Sequence, residues 1–239
     1  MQEYISKLLN ERNTIKKNFS ALFDNNTPIV PIPFFGNIST AKIITIGANP
    51  SATELRNNGW SENMEANQIS ERLIHYFHNQ PHQWFETWET ALNTVGCSYY
   101  DDTAAHIDLC PWATKSLSSL HRLGLAENTI ELFKQSVPIF VEGIKECTNF
   151  KFALMAGTVT KKYWLNNFLY KFVNTTNFSI QEKPLASRGG AFINKHELII
   201  DKKSVSAIFS SSSPSATGEK KNVLPKMIEE NKNFIIEHL

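Results

Sequence analysis

The chain has 239 residues, of which 41% are apolar, and a formal net charge of +1. This length and apolar content suffice for one substantial hydrophobic core. Nucleic-acid-binding domains often have a strong basic excess, which this chain lacks, so any DNA contact would depend on a local cluster of cations. The apolar runs are far shorter than the roughly 20 residues that span a bilayer, and residues 1–19 resemble no signal peptide, so we expect a cytoplasmic protein without membrane contact.

The predicted elements alternate between helices and strands along the chain. Helical spacing of apolar residues predicts helices at 1–24, 65–79, 82–95, 129–147 with a break at Pro138, 157–170 and 223–239. Apolar runs predict core strands at 42–47, 104–109, 150–156 and 204–209. Residues 51–63 are predicted to be a polar loop, and residues 174–200 a β-rich insertion with hairpin strands at 191–193 and 197–200. This alternation favours a parallel α/β sheet.

The cysteines and histidines argue against a metal centre. The chain has three cysteines, at Cys97, Cys110 and Cys147. Their odd number and wide spacing suit reduced thiols, and three thiolates are too few for an ordinary iron–sulfur cluster. His75, His78 and His82 are spaced loosely like ligands, but Pro81 separates them and no carboxylate or cysteine accompanies them. We therefore expect no metal, no metal cluster and no cofactor.

Two segments combine a strand with a polar turn. Residues 43–51 read Ile-Ile-Thr-Ile-Gly-Ala-Asn-Pro-Ser, and residues 207–216 read Ala-Ile-Phe-Ser-Ser-Ser-Ser-Pro-Ser-Ala. In each, an apolar run of strand length ends in small hydrogen-bonding residues and a proline. Ligands of open α/β sheets bind beyond the carboxyl ends of the strands. The two turns are therefore predicted to face one cleft.

The order and residue types of these segments resemble the uracil-DNA glycosylase superfamily. Its first motif reads G-Q-D-P-Y or G-x-N-P-G, and its last reads H-P-S-P. The resemblance covers roughly residues 30–239 through short motifs. It implies a single glycosylase-like domain over residues 1–239, with a three-layer α/β/α fold and a central, mainly parallel four-stranded sheet. It also implies a monomeric DNA-binding enzyme that flips a base out of the helix and hydrolyses its N-glycosidic bond.

Asn49 is the candidate catalytic residue of the first motif. An amide held between Gly47 and Pro50 can orient a water against the anomeric carbon, although it cannot act as a strong base. No lysine lies in this turn, so a lyase reaction is not favoured. The alternative is that Asn49 and Pro50 only form a turn, in which both residue types are common.

Asp108 is the candidate base-recognising residue, on the segment Ala105-His106-Ile107-Asp108-Leu109. The superfamily usually has Asn at this position. An ionised Asp only accepts hydrogen bonds, which suits the exocyclic amine of cytosine, and a protonated Asp could donate to N3 and accept from N4 together. Alternatively, Asp108 caps the turn at Pro111, or the alignment is shifted and His106 contacts the base.

Ser51 and Phe77 complete the predicted base pocket. Ser51 stands where the highly active uracil enzymes of the superfamily have a Tyr that blocks the pyrimidine C5 position, so a C5-modified cytosine could fit. Extruded bases stack on aromatic rings, and Phe77, Trp60 and Tyr100 are the candidates for this platform. Most aromatic residues of amphipathic helices belong to the core instead.

The remaining site residues are predicted to act on the leaving base and on phosphates. Ser211 replaces the superfamily's His, and its hydroxyl could donate to the departing base without a positive charge. Five further residues are candidate DNA contacts: Ser213, Lys161, Lys162, Lys220 and Lys221. An ordinary strand–helix junction with solvated lysines, or a flexible Ser-rich loop, would explain the same residues.

Three functions compete at this point. The first is a glycosylase for a C5-modified cytosine, with a role in defence against phages whose genomes carry such bases. The second is a repair glycosylase for uracil or hydroxymethyluracil, in which His106 or another residue recognises the base. The third is a non-catalytic DNA-binding protein of the same fold, which the absent His and the near-neutral charge favour.

Overall fold

The structure is a computed structural model that describes residues 1–78, 83–156, 178–184, 193–200, 203–210 and 223–239. The helices in these residues are α1 (Gln2–Asn18), α2 (Ala52–Asn57), α3 (Ala66–Ile74), α4 (Trp84–Asn93), α5 (Leu117–Arg122), α6 (Ala126–Lys145), α7 (Val223–Glu230) and α8 (Lys232–Glu237). The strands are β1 (Phe34–Phe35), β2 (Ile43–Gly47), β3 (Ala104–Asp108), β4 (Phe152–Ala156), β5 (Phe178–Pro184), β6 (Ile193–Ile200) and β7 (Lys203–Ser210). Short 3₁₀ turns lie at Ser20–Leu22 and Tyr76–His78.

The strands form one mixed sheet with the order β1-β3-β2-β4-β7-β6-β5. The pairs β3–β2, β2–β4 and β4–β7 are parallel, whereas β1 at one edge and β6 and β5 at the other pair antiparallel. The predicted α/β class is confirmed. The sheet is larger than the four strands expected, since the described residues alone contribute seven.

Helices cover the central strands. Every residue of β2 and β3 is buried, as expected where both faces of a parallel strand are covered. On the face that carries His106, Trp84 and Phe85 of α4 contact the imidazole ring. Helix α6 contacts β3, and α1 is tied to α6 by a hydrogen bond from the Tyr4 hydroxyl to the Ile139 carbonyl at 2.9 Å.

Helices α2 and α6 are among those that differ from the sequence prediction. Residues 52–57 form α2 within the segment predicted to be a loop, because the Ser51 hydroxyl accepts from the Thr53 amide and caps the first turn. Helix α6 runs through Pro138 without ending. A proline inside a helix costs about 3 kcal/mol, but α6 buries apolar side chains on both sides of it, including Phe133 and Phe140. That packing outweighs the local cost.

The predicted hairpin within the insertion is wrong. Residues 193–200 form the single strand β6, which pairs with β5 on one side and with β7 on the other. Hydrogen bonding to both neighbours keeps the backbone extended through the polar segment 194–197, where the sequence suggested a turn. The strands predicted at 42–47, 104–109, 150–156 and 204–209 are confirmed within two residues at each end. The helix predicted at 157–170 lies outside the described residues.

The described residues contain no helix that is both long enough and apolar enough to cross a membrane.

Candidate functional site

The carboxyl ends of four parallel strands define one edge of the sheet. Gly47 ends β2 and lies beside Asp108 at the end of β3, while Ala156 of β4 lies beside Ser210 of β7. Strands β2 and β7 are separated only by β4, so a spacing of about 4.8 Å per strand places their ends roughly 10 Å apart. The predicted cleft residues therefore follow strands that end at a common edge.

His106 and Asp108 form a buried pair on one face of β3. They are two residues apart and so point to the same side of the strand. The side chains are 2% and 3% exposed, and His106 Nε2 lies 3.3 Å from Asp108 Oδ1. Burial raises the pKa of Asp108, and the neighbouring His106 opposes that rise. Within the described part of the chain, Asp108 Oδ2 accepts no hydrogen bond.

Gly47 makes room for this pair. A Cβ atom added to Gly47 would lie 2.5 Å from Asp108 Oδ1 and 2.7 Å from His106 Nε2. Any other residue would push the imidazole or the carboxylate out of place. The sequence indicated a turn at this glycine, but the structure gives it a second role, which is to let two buried polar groups approach the neighbouring strand.

Thr45 and Tyr99 extend the pair into a buried polar network that the sequence analysis missed. Thr45 Oγ1 lies 2.7 Å from His106 Nδ1 and 2.5 Å from the Tyr99 hydroxyl. The Tyr99 backbone amide donates to Glu89 Oε2 at 3.0 Å, which fixes the loop that carries the phenol. The one available sequence signal was a hydroxyl-bearing residue in the middle of the aliphatic strand 43–46.

Asn49 is half-buried just beyond β2, and its amide has a defined orientation. Nδ2 points at three acceptors: the Pro50 carbonyl at 3.3 Å, the Trp112 carbonyl at 3.4 Å and Thr114 Oγ1 at 3.1 Å. The Thr114 hydroxyl donates its own proton to the Lys115 carbonyl, so it accepts from Asn49. Asn49 Oδ1 makes no hydrogen bond with the described residues. It therefore remains an acceptor with a fixed direction.

Ser51 and Phe77 also have structural roles. Ser51 is exposed and caps α2. Phe77 is 2% exposed, and its ring stacks on Tyr99 with centroids 4.2 Å apart. This packing favours a core role for Phe77. Trp84, which is half-buried with its ring centroid 5.0 Å from that of His106, is the aromatic residue nearest the pair on α4.

Trp60 and Tyr100, the other two candidates for base stacking, do not lie at this site in the described part of the structure. Trp60 is buried beneath the Arg72 guanidinium, which lies 4.3 Å from the ring centroid, and Tyr100 is half-exposed. Six predicted site residues lie outside the described residues and stay predictions: Ser211, Ser213, Lys161, Lys162, Lys220 and Lys221.

Neither a metal centre nor a reactive thiol is found in the described ranges. They contain no group of three or more His, Cys, Asp or Glu side chains that could hold a metal ion. Cys97, Cys110 and Cys147 are buried free thiols. Burial raises the pKa of Cys110 to about 12, so this thiol, which follows β3, is neutral near pH 7 and is not a nucleophile there.

A groove beside α3 is separate from these residues. It has a volume of about 550 Å³, and its lining includes Gln68, Glu71 and Arg72 but none of Asn49, His106 and Asp108. It does not contribute to the site at the strand ends.

No protein-family model matches the sequence, and no curated protein matches it either.

Proposed function

We propose that the protein is a monofunctional DNA glycosylase that hydrolyses the N-glycosidic bond of a flipped-out base. One observation carries the proposal: an oriented amide, Asn49, follows β2, and a buried carboxylate, Asp108, ends the neighbouring strand β3. The motif order of the sequence, which resembles the uracil-DNA glycosylase superfamily, supports it. The three parallel strand pairs also support it, because parallel pairing is one feature of the sheet that the resemblance implies.

The reaction requires a positioned water and a stabilised leaving base. Asn49 Oδ1 accepts a hydrogen bond from the water, whose oxygen then attacks the anomeric carbon as the bond to the base breaks. The base leaves with the electron pair of that bond and takes up a proton, and the attacking water loses one to solvent. The products are the free base and an abasic site. Asn49 orients the water without taking a proton.

Base recognition falls to Asp108, and the proposed substrate is a C5-modified cytosine. Asp108 Oδ2 is an acceptor for the exocyclic amine of cytosine. Ser51 is smaller than the Tyr found in the highly active uracil enzymes and leaves room for a C5 substituent. If the substrate is a modified cytosine, the proposed biological role is defence against phages whose genomes carry such bases.

A uracil-type base is the second candidate, and the position of His106 favours it. His106 Nε2 lies 3.3 Å from Asp108 Oδ1, and a proton on Nε2 that turned from this oxygen to the base would be a donor beside the acceptor Asp108 Oδ2. Uracil offers the complementary pair, a donor at N3 and acceptors at O2 and O4. A repair glycosylase for uracil or hydroxymethyluracil would use this arrangement.

A panel of oligonucleotides tests the proposal. Each would carry one uracil, 5-hydroxymethyluracil, cytosine, 5-methylcytosine or 5-hydroxymethylcytosine, in single-stranded and duplex form, and alkali would cleave any abasic site. Cleavage that is greatest at a modified cytosine supports the proposal, and cleavage greatest at a uracil-type base supports the second candidate. DNA binding without any cleavage would indicate a non-catalytic DNA-binding protein.

A further inference from the structure

The buried network behind Asp108 has only a few arrangements of its protons. Thr45 has one hydroxyl proton and three neighbours: His106 Nδ1 at 2.7 Å, the Tyr99 hydroxyl at 2.5 Å and the Ala105 carbonyl at 3.3 Å. The contact with Nδ1 has a better hydrogen-bond length than the contact with the carbonyl. Donation from Thr45 to Nδ1 requires that this nitrogen carry no proton.

The Tyr99 hydroxyl supplies the other end of the network. It is 1% exposed, and Thr45 is its hydrogen-bond partner among the described residues. Burial raises the pKa of Tyr99 well above its usual range, so the phenol keeps its proton. Because the Thr45 proton is used at Nδ1, Tyr99 donates to Thr45 Oγ1.

We infer that Tyr99 and Thr45 are positioning residues that hold the proton of neutral His106 on Nε2, from which it is donated to Asp108 Oδ1. Each group in this series donates to the next, from Tyr99 to Thr45, from Thr45 to His106 and from His106 to Asp108. The tautomer of a histidine is set by the hydrogen bond at its other nitrogen. The inference rests on the proposed function only in its consequence for base recognition.

That consequence is that Asp108 presents an unprotonated oxygen to the base. With Nε2 protonated, Asp108 Oδ1 accepts from the imidazole, and Oδ2, which accepts no hydrogen bond from the described residues, is an acceptor for an amine. If the proton moved to Nδ1, the lone pair of Nε2 would face the carboxylate 3.3 Å away. Asp108 would then have to take a proton, and its hydrogen-bonding pattern toward a base would change.

Among the described residues, few other groups that titrate surround His106. Trp84, Phe85 and Phe35 contact the ring and carry no charge. Beyond Tyr99 lies the Glu89 carboxylate, whose oxygens accept from the Ser98 hydroxyl and the Tyr99 amide. Cys110, which follows β3, is a neutral thiol. The proton on His106 is therefore governed mainly by Thr45 and Asp108.

Nitrogen NMR of the histidine rings tests the inference without any substrate. We would record two-bond proton–nitrogen spectra of ¹⁵N-histidine-labelled protein between pH 6 and 8, with His106 assigned by its absence in His106→Gln. The expected result is the Nε2–H form in wild type and in Thr45→Ser, and loss of that form in Thr45→Val. Tyr99→Phe should weaken it. A wild-type ring protonated at Nδ1, or at both nitrogens, overturns the inference.

Base release provides a second readout. Thr45→Val should slow release by about tenfold or more, as expected for the loss of one matched contact to a base edge, and should move the pH profile. Thr45→Ser, which keeps the hydroxyl, should restore the rate of base release and its pH profile. Unchanged rate and pH profile in Thr45→Val would overturn the positioning role. An Nε2–H ring in a protein that releases no base would overturn the proposed function and leave the proton placement supported.

Discussion

At the level of single residues, we expect the base preference to depend on Asp108. Asp108→Asn replaces an acceptor with an amide that can also donate. We expect the variant to lose excision of the cytosine-type base and to gain activity on uracil, whose N3 donor and O4 acceptor match an amide. A matched base-edge contact is worth about 1–3 kcal/mol, so relative rates should change by about tenfold or more. Parallel time courses on paired oligonucleotides measure this, and an unchanged preference would contradict it.

The same carboxylate should make stability depend on pH. Burial raises the pKa of Asp108 above the value of about 3.9 typical of unfolded chains. Its contribution to the free energy of unfolding is therefore fully present below about pH 3.9 and is lost as the pH rises through the folded pKa. Relative to wild type, Asp108→Asn should become more stable as the pH rises from about 4 through the folded pKa of Asp108. Urea unfolding across this range measures the difference, and a difference that does not vary with pH would contradict the direction of the shift.

At the scale of elements, Gly47 couples β2 to the polar pair on β3. Gly47→Ala places a methyl group 2.5 Å from Asp108 Oδ1, and overpacking of this kind costs about 1–3 kcal/mol. Ile46→Val is the matched control, because Ile46 points to the opposite face of β2 and should cost about 1 kcal/mol. Gly47→Ala should lower the free energy of unfolding and also displace the NMR signals of the His106 ring. Ile46→Val should lower the free energy of unfolding but leave those signals in place. A Gly47→Ala protein with unshifted His106 signals would contradict this packing.

The elements also show what the sequence could predict. The apolar runs at 43–46 and 152–155 predicted buried strands, because hydrophobic strands buried on both faces have an unmistakable pattern. Helix α2 was missed because its start depends on one side-chain cap at Ser51, which a turn would explain equally well. Pro138 suggested a break, but the burial of side chains on both sides of it, which keeps α6 continuous, is a tertiary effect.

The candidate site was predictable only in part, because some of its contacts are created by tertiary packing. Asn49, His106 and Asp108 follow or lie on recognisable strands, so their common edge could be predicted. Thr45 and Tyr99 are 54 residues apart, and their contact is created by the fold. The core position of Phe77, stacked on Tyr99, likewise depends on tertiary packing that helical spacing cannot reveal.

At the scale of the whole molecule, the strands beyond β4 change the shape of the sheet. Strands β5, β6 and β7 form an antiparallel series that widens the sheet on one side. The parallel centre still brings the ends of β3, β2, β4 and β7 to one edge. Strands β5 and β6 therefore extend the sheet at the edge away from β2 and β3, at whose ends Asn49 and Asp108 lie.

We propose that this edge of the sheet excises a base with water oriented by Asn49. The most direct measurement is the single-turnover release of free base, by mass spectrometry, from DNA that carries 5-hydroxymethylcytosine, with wild type, Asn49→Ala and Asn13→Ala. Asn13 is an exposed amide on α1 and is the matched control. We expect stoichiometric release by wild type and Asn13→Ala, and release slower by about 10²-fold or more in Asn49→Ala, because positioning is typically worth at least that much. Equal rates in Asn49→Ala and wild type, or no free base from wild type on this or any other DNA of the panel, would contradict the claim.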